Sequence, residues 1–136
     1  MTKVQDNPIK EAERYLENSR QILSEKAGKD GDYYDDPKYV RMAGNNAWSG
    51  VLVALDGVLD VKANLKSRQR ADFKDYMEAV TKRDRKMSKP LLYAYESLHK
   101  VLGYDGNLSY GTVQDGMKQA KRVIDWADRE YRKQHP

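Results

Sequence analysis

Apolar residues recur along this chain at steps of three and four, the spacing that lines one face of an α-helix. Ile9, Ala12, Tyr15, Leu16, Ile22 and Leu23 make the first such stripe. Asn7 followed by Pro8 is a cap-plus-proline start for it, and Gly28 is a natural stop. Asp36-Pro37 repeats the same start signal. The helix it opens should run to about Leu59. Tyr39, Val40, Ala43, Gly44, Ala47, Trp48, Val51, Leu52, Ala54, Leu55, Val58 and Leu59 cover far more than one face of that helix, and a helix apolar nearly all round is a buried one. Gly44, Gly50 and Gly57 lie inside it at a cost of about 1 kcal/mol each relative to alanine, which predicts close approach by neighbouring helices.

Asp72 is placed to cap a short third helix striped by Phe73, Tyr76, Met77 and Val80. Ser88 should cap a fourth, with Pro90 in its first turn and Leu91, Leu92, Tyr95, Leu98, Val101 and Leu102 as its stripe. Gly103 is its expected stop. Ser109 should cap a fifth helix through Val113, Met117, Ala120, Val123, Ile124, Ala127 and Tyr131, with the chain from Arg132 fraying. Period-two alternation is absent, and Gly28 to Asp32 reads as a loop. The pattern therefore predicts an all-α fold: an antiparallel four-to-five-helix bundle formed by residues 1–136 as a single domain, with 6–131 as its ordered core.

Composition narrows the classes. A chain of 136 residues fits one domain. It has no Cys, so disulfides, thiolate metal sites and thiol nucleophiles are excluded, and a reducing compartment such as the cytoplasm is the expectation. The polar start from Met1 to Pro8 does not resemble a secretory signal. Ala47 to Leu59 is too short and too interrupted to span a bilayer. Net charge is +4, from 25 bases interspersed with 21 acids, which is a mixture and not a stripe. Bases concentrate only from Lys62 to Lys89. Within that segment Lys66, Arg68, Arg70, Lys82, Arg83, Arg85 and Lys86 form a candidate phosphate-facing patch, against the plainer reading of a solvated rim.

Candidate chemistry is sparse. No Gly-rich phosphate loop of the Walker or dinucleotide type is present. The histidines, His99 and His135, lack the companion ligands a zinc or di-iron site requires, so neither a metal nor a cofactor is expected. Ser49, Ser97 and Ser109 have no sequence context of a base and an orienting acid. The informative polar residues are Arg41, Asn45, Asn46, Ser49 and Asp56 of the buried helix. Any that face inward must find partners, because an unpaired buried polar group costs about 1–3 kcal/mol. One reading is a structural network in which Arg41 pairs with Glu11 or Glu17. Another is a polar pocket or interface formed by Tyr39, Arg41, Asn45 and Trp48 with His99 and Tyr104. Tyr33, Tyr34, Tyr39, Trp48, Tyr93, Tyr104 and Tyr110 exceed the needs of one bundle core, which fits a tyrosine-rich core with wet tips, a dimer or partner surface, or stacking platforms for nucleotide bases.

The tract from Asp36 to Asp56, with Leu98-His99-Lys100-Val101-Leu102-Gly103-Tyr104-Asp105-Gly106 and Ile124-Asp125-Trp126-Ala127, resembles a small family of uncharacterised bacterial proteins over nearly the whole chain. The helix order also resembles the HEPN and nucleotidyltransferase substrate-binding bundles. That second resemblance implies an up-and-down topology, dimerisation, and a nucleotidyltransferase chain as partner. Catalytic members of that group are ribonucleases with an Arg followed four to six residues later by His near the last helix. Here that spacing occurs only from Arg129 to His135, in the tail, which argues against activity. The expectation is a non-catalytic bundle that self-associates or binds a protein. The alternative is a nucleic-acid or nucleotide binder using the basic segment.

Overall fold

A computed structural model describes residues 7–61 and 71–136. Five α-helices are present among them: α1 (Pro8–Glu25), α2 (Pro37–Val58), α3 (Phe73–Arg83), α4 (Ser88–Ala94) and α5 (Tyr110–Gln134). Local chemistry sets their starts. Asn7 Oδ1 accepts from the amides of Ile9 and Lys10 at 3.1 and 3.2 Å, satisfying donors that an α-helix leaves orphaned. Asp36 does the same for Lys38 at 2.9 Å, and Pro37 occupies the first helical position. Asp72 and Asp75 form a reciprocal capping box. Ser109 Oγ accepts from Thr112.

The bundle is antiparallel, as the residue pairs across it show. α1 and α2 meet at Pro8 with Gly57, Ala12 and Tyr15 with Gly50, and Ser19 with Ala43, so the two helices run in opposite senses. α4 and the helical stretch that continues it to Leu102 return along α2, bringing Tyr95 to Trp48 and Leu98 and Leu102 to Gly44. α5 then runs against α4, from Gly116 beside Leu98 to Trp126 beside Asp84. α2 contacts α1, α5 and the continuation of α4. Val40, Ala43, Ala47, Val51, Ala54 and Leu55 are fully enclosed, so α2 is the buried spine that the pattern predicts. Ser19, though buried, shares its hydroxyl proton between the carbonyls of Ala43 (2.9 Å) and Tyr15 (3.1 Å), so this donor at the α1–α2 seam is satisfied.

Four features depart from the sequence reading. Gly28 to Tyr34 is not a plain loop: β1 (Lys29–Asp30) and β2 (Tyr33–Tyr34) pair as a minimal antiparallel hairpin turning at Gly31, whose φ of +61° suits glycine. Tyr34 N donates to Leu108 O (2.8 Å) and Tyr110 N to Asp32 O (2.9 Å), which fastens the hairpin to the start of α5. Ser88 is not the cap of α4. Met87 stands at the cap position with no side-chain cap bond, and Asp84 caps the 3₁₀ turn at Arg85–Met87 that leads into α4, its Oδ1 accepting from Lys86 N at 3.0 Å, while the Ser88 hydroxyl donates back to Arg85 O. Beyond α4 the helix continues through Tyr95–Leu102 as a π-helix. Gly103 then ends it with ordinary right-handed geometry, and the positive φ (+65°) falls on Gly106 instead. The chain past Arg132 does not fray: α5 continues to Gln134, whose Nε2 donates to the Val58 carbonyl at 3.0 Å and so caps the end of α2.

Candidate functional site

Four polar residues of α2, Arg41, Asn45, Asn46 and Asp56, reach outward from the spine to neighbouring segments. Arg41 does not pair with the acids of α1. Its Nε donates to the carbonyl of Tyr104 at 3.2 Å, because its position faces α4 rather than α1. Asn45 Nδ2 donates to the carbonyl of Gly103 at 3.2 Å. Asn46 Nδ2 reaches the Tyr15 carbonyl on α1 at 3.3 Å. Asp56 Oδ1 accepts from Tyr76 OH at 2.7 Å, joining α2 to α3. Burial, with the hydrogen bond and negative charge of Asp56, pushes the Tyr76 phenol well above its ordinary range. Ser49 is exposed and lines a groove between α1 and α2 with Asn18, Gln21, Met42, Asn45 and Asn46.

Arg41 and Asn45 thus hold the segment that leaves the π-helix. That segment is also tied by its own backbone: the amides of Gly103, Tyr104, Asp105, Gly106 and Asn107 all donate to carbonyls between Leu98 and Leu102. A side chain at Gly103 would collide with Asn45 Oδ1 and the Leu98 carbonyl, so the contact requires glycine. The result is a fixed loop whose most prominent feature is Tyr104, 81% exposed.

Beside this loop is a cleft of about 620 Å³, lined by Asn45, Tyr95, His99, Lys100, Tyr104 and Asp105 together with Gly103. Its inner wall is an aromatic stack. Tyr95 lies on Phe73 (ring centroids 3.8 Å, planes 10° apart) and on His99 (5.4 Å), with buried Trp48 behind at 5.3 Å from Tyr95 and 6.4 Å from His99. Lys100 Nζ lies 5.2 Å from the Tyr95 ring centre. Of the six residues proposed from the sequence, Asn45, His99 and Tyr104 line this cleft. Arg41 holds its loop, and Trp48 backs it at only 7% exposure. Tyr39 is half-buried against the core with Lys38 over its ring, and does not line the cleft. Sequence reading missed Tyr95, Lys100 and Asp105. The surplus aromatics divide: Tyr33, Tyr93, Tyr104 and Tyr110 are exposed, whereas Tyr34 and Trp48 are buried.

The basic patch is only partly visible. Lys62, Lys66, Arg68 and Arg70 lie outside the described residues. Lys82, Arg83, Arg85 and Lys86 are exposed around the end of α3. Arg83 is tied up in structure: its guanidinium meets Glu130 of α5 at 2.9 Å, and Lys133 meets the other oxygen at 3.1 Å. Burial alone would raise the Glu130 carboxyl, but Arg83 and Lys133 outweigh it and hold it below the usual range. Asp84 accepts from Trp126 Nε1 at 3.1 Å next to this pair. Lys82 and Arg85 share a cleft with Asp75 and Glu78, so the local field there is mixed. His135 stacks on Tyr131 at 4.1 Å, and Arg129 is exposed on the same final turns. Among the described residues, no group of three or more His, Asp or Glu side chains is arranged to hold a metal ion. None of the described helices is long and apolar enough to cross a membrane.

A family model described as a domain of unknown function, DUF5618, matches residues 7–129. The chain belongs to this family. A solved structure of a protein of unknown function from Dyadobacter fermentans is similar to it at 37% sequence identity and a TM-score of 0.81, over 92% of this chain and 96% of that one. No curated protein matches. Membership in the DUF5618 family accords with the resemblance of the α2, α4 and α5 tracts to a family with no assigned activity. The resemblance to HEPN bundles draws no support from these comparisons.

Proposed function

We propose that this DUF5618 chain is a non-catalytic helical bundle that acts by binding a protein surface, a second copy of itself included, through the face around Tyr104. The observation that carries this reading is the pairing of exposure with fixation. Tyr104 projects into solvent while Arg41 and Asn45 hold the backbone beneath it. Fixing the backbone that carries a large aromatic side chain before binding reduces the ordering cost of association, and Tyr and Arg are enriched among the residues that dominate interface energies. Lys100, Asp105 and His99 supply a polar rim around it. A bacterial, cytoplasmic setting suits a chain with no Cys. The HEPN-like helix order makes a nucleotidyltransferase chain one candidate partner.

Sedimentation over a range of concentrations, alongside co-purification from source cells, tests the reading. Tyr104→Ala is expected to weaken the dimer or the heteromeric complex at least about tenfold, the loss of one central anchor, with unchanged melting. A strict monomer whose co-purifying proteins are the same with and without Tyr104 contradicts it. A nucleic-acid module is the second reading, favoured by the exposed Lys82, Arg85 and Lys86. It requires RNA or DNA binding that weakens steeply with salt.

A further inference from the structure

We propose that the chain carries a second site, under the β1–β2 hairpin, for a small organic anion: an oxyanion head on an apolar or aromatic body. The site is a cleft of about 410 Å³ where the C-terminal half of α1, the hairpin and the first turns of α5 converge. That volume lies within the range of small-molecule pockets, about 300–1,000 Å³. It is independent of the Tyr104 face.

The cleft has two chemically distinct parts. Its floor is apolar and buried: Leu23 of α1, Tyr34 of β2 and Met117 of α5. Tyr110 forms a wall, its ring 5.6 Å from that of Tyr34 and tilted by 29°. The rim is cationic. Lys29 of β1 places its Nζ 3.9 Å from the centre of the Tyr110 ring, and Arg20 enters from α1. Among the described residues no carboxylate lines the cleft. The acids nearby are not among the lining residues: Glu17 meets Arg20 loosely at 3.6 Å, one turn back along α1, and Asp35 lies close to Gly28. An anion in the cleft would therefore meet two cations from two elements with no opposing charge on its walls.

A neutral donor adds to them. Tyr34 OH accepts from Gln114 Nε2 at 2.9 Å, and among the described residues no acceptor takes its own proton. Burial raises the Tyr34 phenol, so the hydroxyl keeps that proton at neutral pH and can donate it to an oxyanion. An Arg guanidinium suits a carboxylate or phosphate edge, and a Lys ammonium adds a point charge. The apolar floor and the Tyr110 wall would take the body of the ligand.

The hairpin is what builds this arrangement. It lies outside the helical core, yet it supplies Lys29 and Tyr34 in paired register, Lys29 opposite Tyr34. Backbone bonds to Leu108 and Tyr110 fix it against α5, so the floor, wall and rim are held relative to one another before any ligand arrives.

Amide NMR titration of the full chain tests the proposal, with benzoate, phenyl phosphate, inorganic phosphate and neutral benzyl alcohol as probes. Benzoate, phenyl phosphate or both should shift the amides of Gly28, Lys29 and Gln114 saturably. Whichever binds tighter identifies the head group. Benzyl alcohol should bind about tenfold more weakly, because it lacks the charge. Arg20→Gln and Lys29→Gln should each weaken binding about tenfold with unchanged melting, since both side chains lie on the surface, and Tyr34→Phe should weaken it less. Should Arg20→Gln fold poorly, the hairpin variant Lys29→Gln alone suffices. No saturable shift by either aromatic anion at millimolar concentration overturns the proposal. So does benzyl alcohol binding as tightly as benzoate, which would leave an apolar crevice only. Inorganic phosphate as tight as phenyl phosphate overturns it too, as does binding unaltered in Lys29→Gln.

Discussion

Gly44 and Gly111 are both helical glycines, yet they should answer alanine in opposite directions. A Cβ on Gly44 would lie 2.6 Å from Leu102 Cβ and 2.7 Å from the Leu98 carbonyl, inside a packed helix–helix contact with no room to yield. Gly44→Ala is expected to destabilise by about 1–3 kcal/mol despite alanine's higher helix propensity. Gly111 has no heavy atom within 4 Å of the added carbon, so Gly111→Ala should stabilise by up to about 1 kcal/mol. Urea denaturation of the two variants separates the cases. Two other residues contribute to the pH dependence. Glu130 titrates below the ordinary glutamate range in the fold, so its stabilisation is complete above that range and drains as pH falls through the folded value. The Tyr76 phenol is raised, so its contribution holds below the ordinary phenol pKa, about 10, and is lost as pH climbs above it. Melting temperature against pH should therefore lose its acid limb in part in Glu130→Gln and its alkaline limb in part in Tyr76→Phe. The glycines of α2 were legible as close contacts from the sequence. Glu130 was not, because a single acid on a charged helix face looks solvated until Arg83, forty-seven positions away in the chain, arrives beside it.

At the scale of elements, the starts of α1, α2, α3 and α5 could be read from the sequence because Asn7, Asp36, Asp72 and Ser109 act on amides only two or three residues ahead. The start of α4 was misread because the side-chain cap falls one turn earlier, on Asp84 before the 3₁₀ turn, and α4 itself begins at Ser88 without one. Trp126 of α5 donates to Asp84, so that cap also joins two helices. Asp84→Ala should accordingly cost more than a simple cap, about 1–3 kcal/mol, with part of the loss being an unpaired indole N–H. The same reasoning applies to the end of α5. Deleting residues 133–136 removes the Gln134 bond to Val58, and Lys133 from Glu130, and should lower stability by about 1–2 kcal/mol in thermal or urea unfolding. The hairpin and the π-helix escaped sequence reading for a shared reason. Two-residue strands carry no alternation, and apolar residues three and four apart in the sequence do not tell a short π-helix from an α-helix. The hairpin is fastened by contacts with a distant segment, at Leu108 and Tyr110.

For the whole molecule, α2 links architecture to the candidate site. Its apolar faces enclose the core, while Arg41 and Asn45 extend from it to hold the loop that presents Tyr104. The sequence pointed to Arg41, Asn45, Trp48, His99 and Tyr104 as a group, and the fold brings them to one region in graded roles: two anchors, one backing ring, one wall and one exposed tip. Tyr39 fell outside because a half-turn of helix separates its direction from theirs. The cationic cleft under the hairpin could not have been read at all, since Arg20, the Lys29–Tyr34 hairpin and Gln114 come from three places in the chain. Amide hydrogen exchange, measured residue by residue, tests most directly whether α2 fixes the Tyr104 loop. Gly103 to Asn107 should be protected in the native chain and should lose that protection in Arg41→Ala/Asn45→Ala, while Val51 and Leu55 keep theirs. Free exchange of that loop in the native chain, or protection unaltered in the double variant, would contradict it.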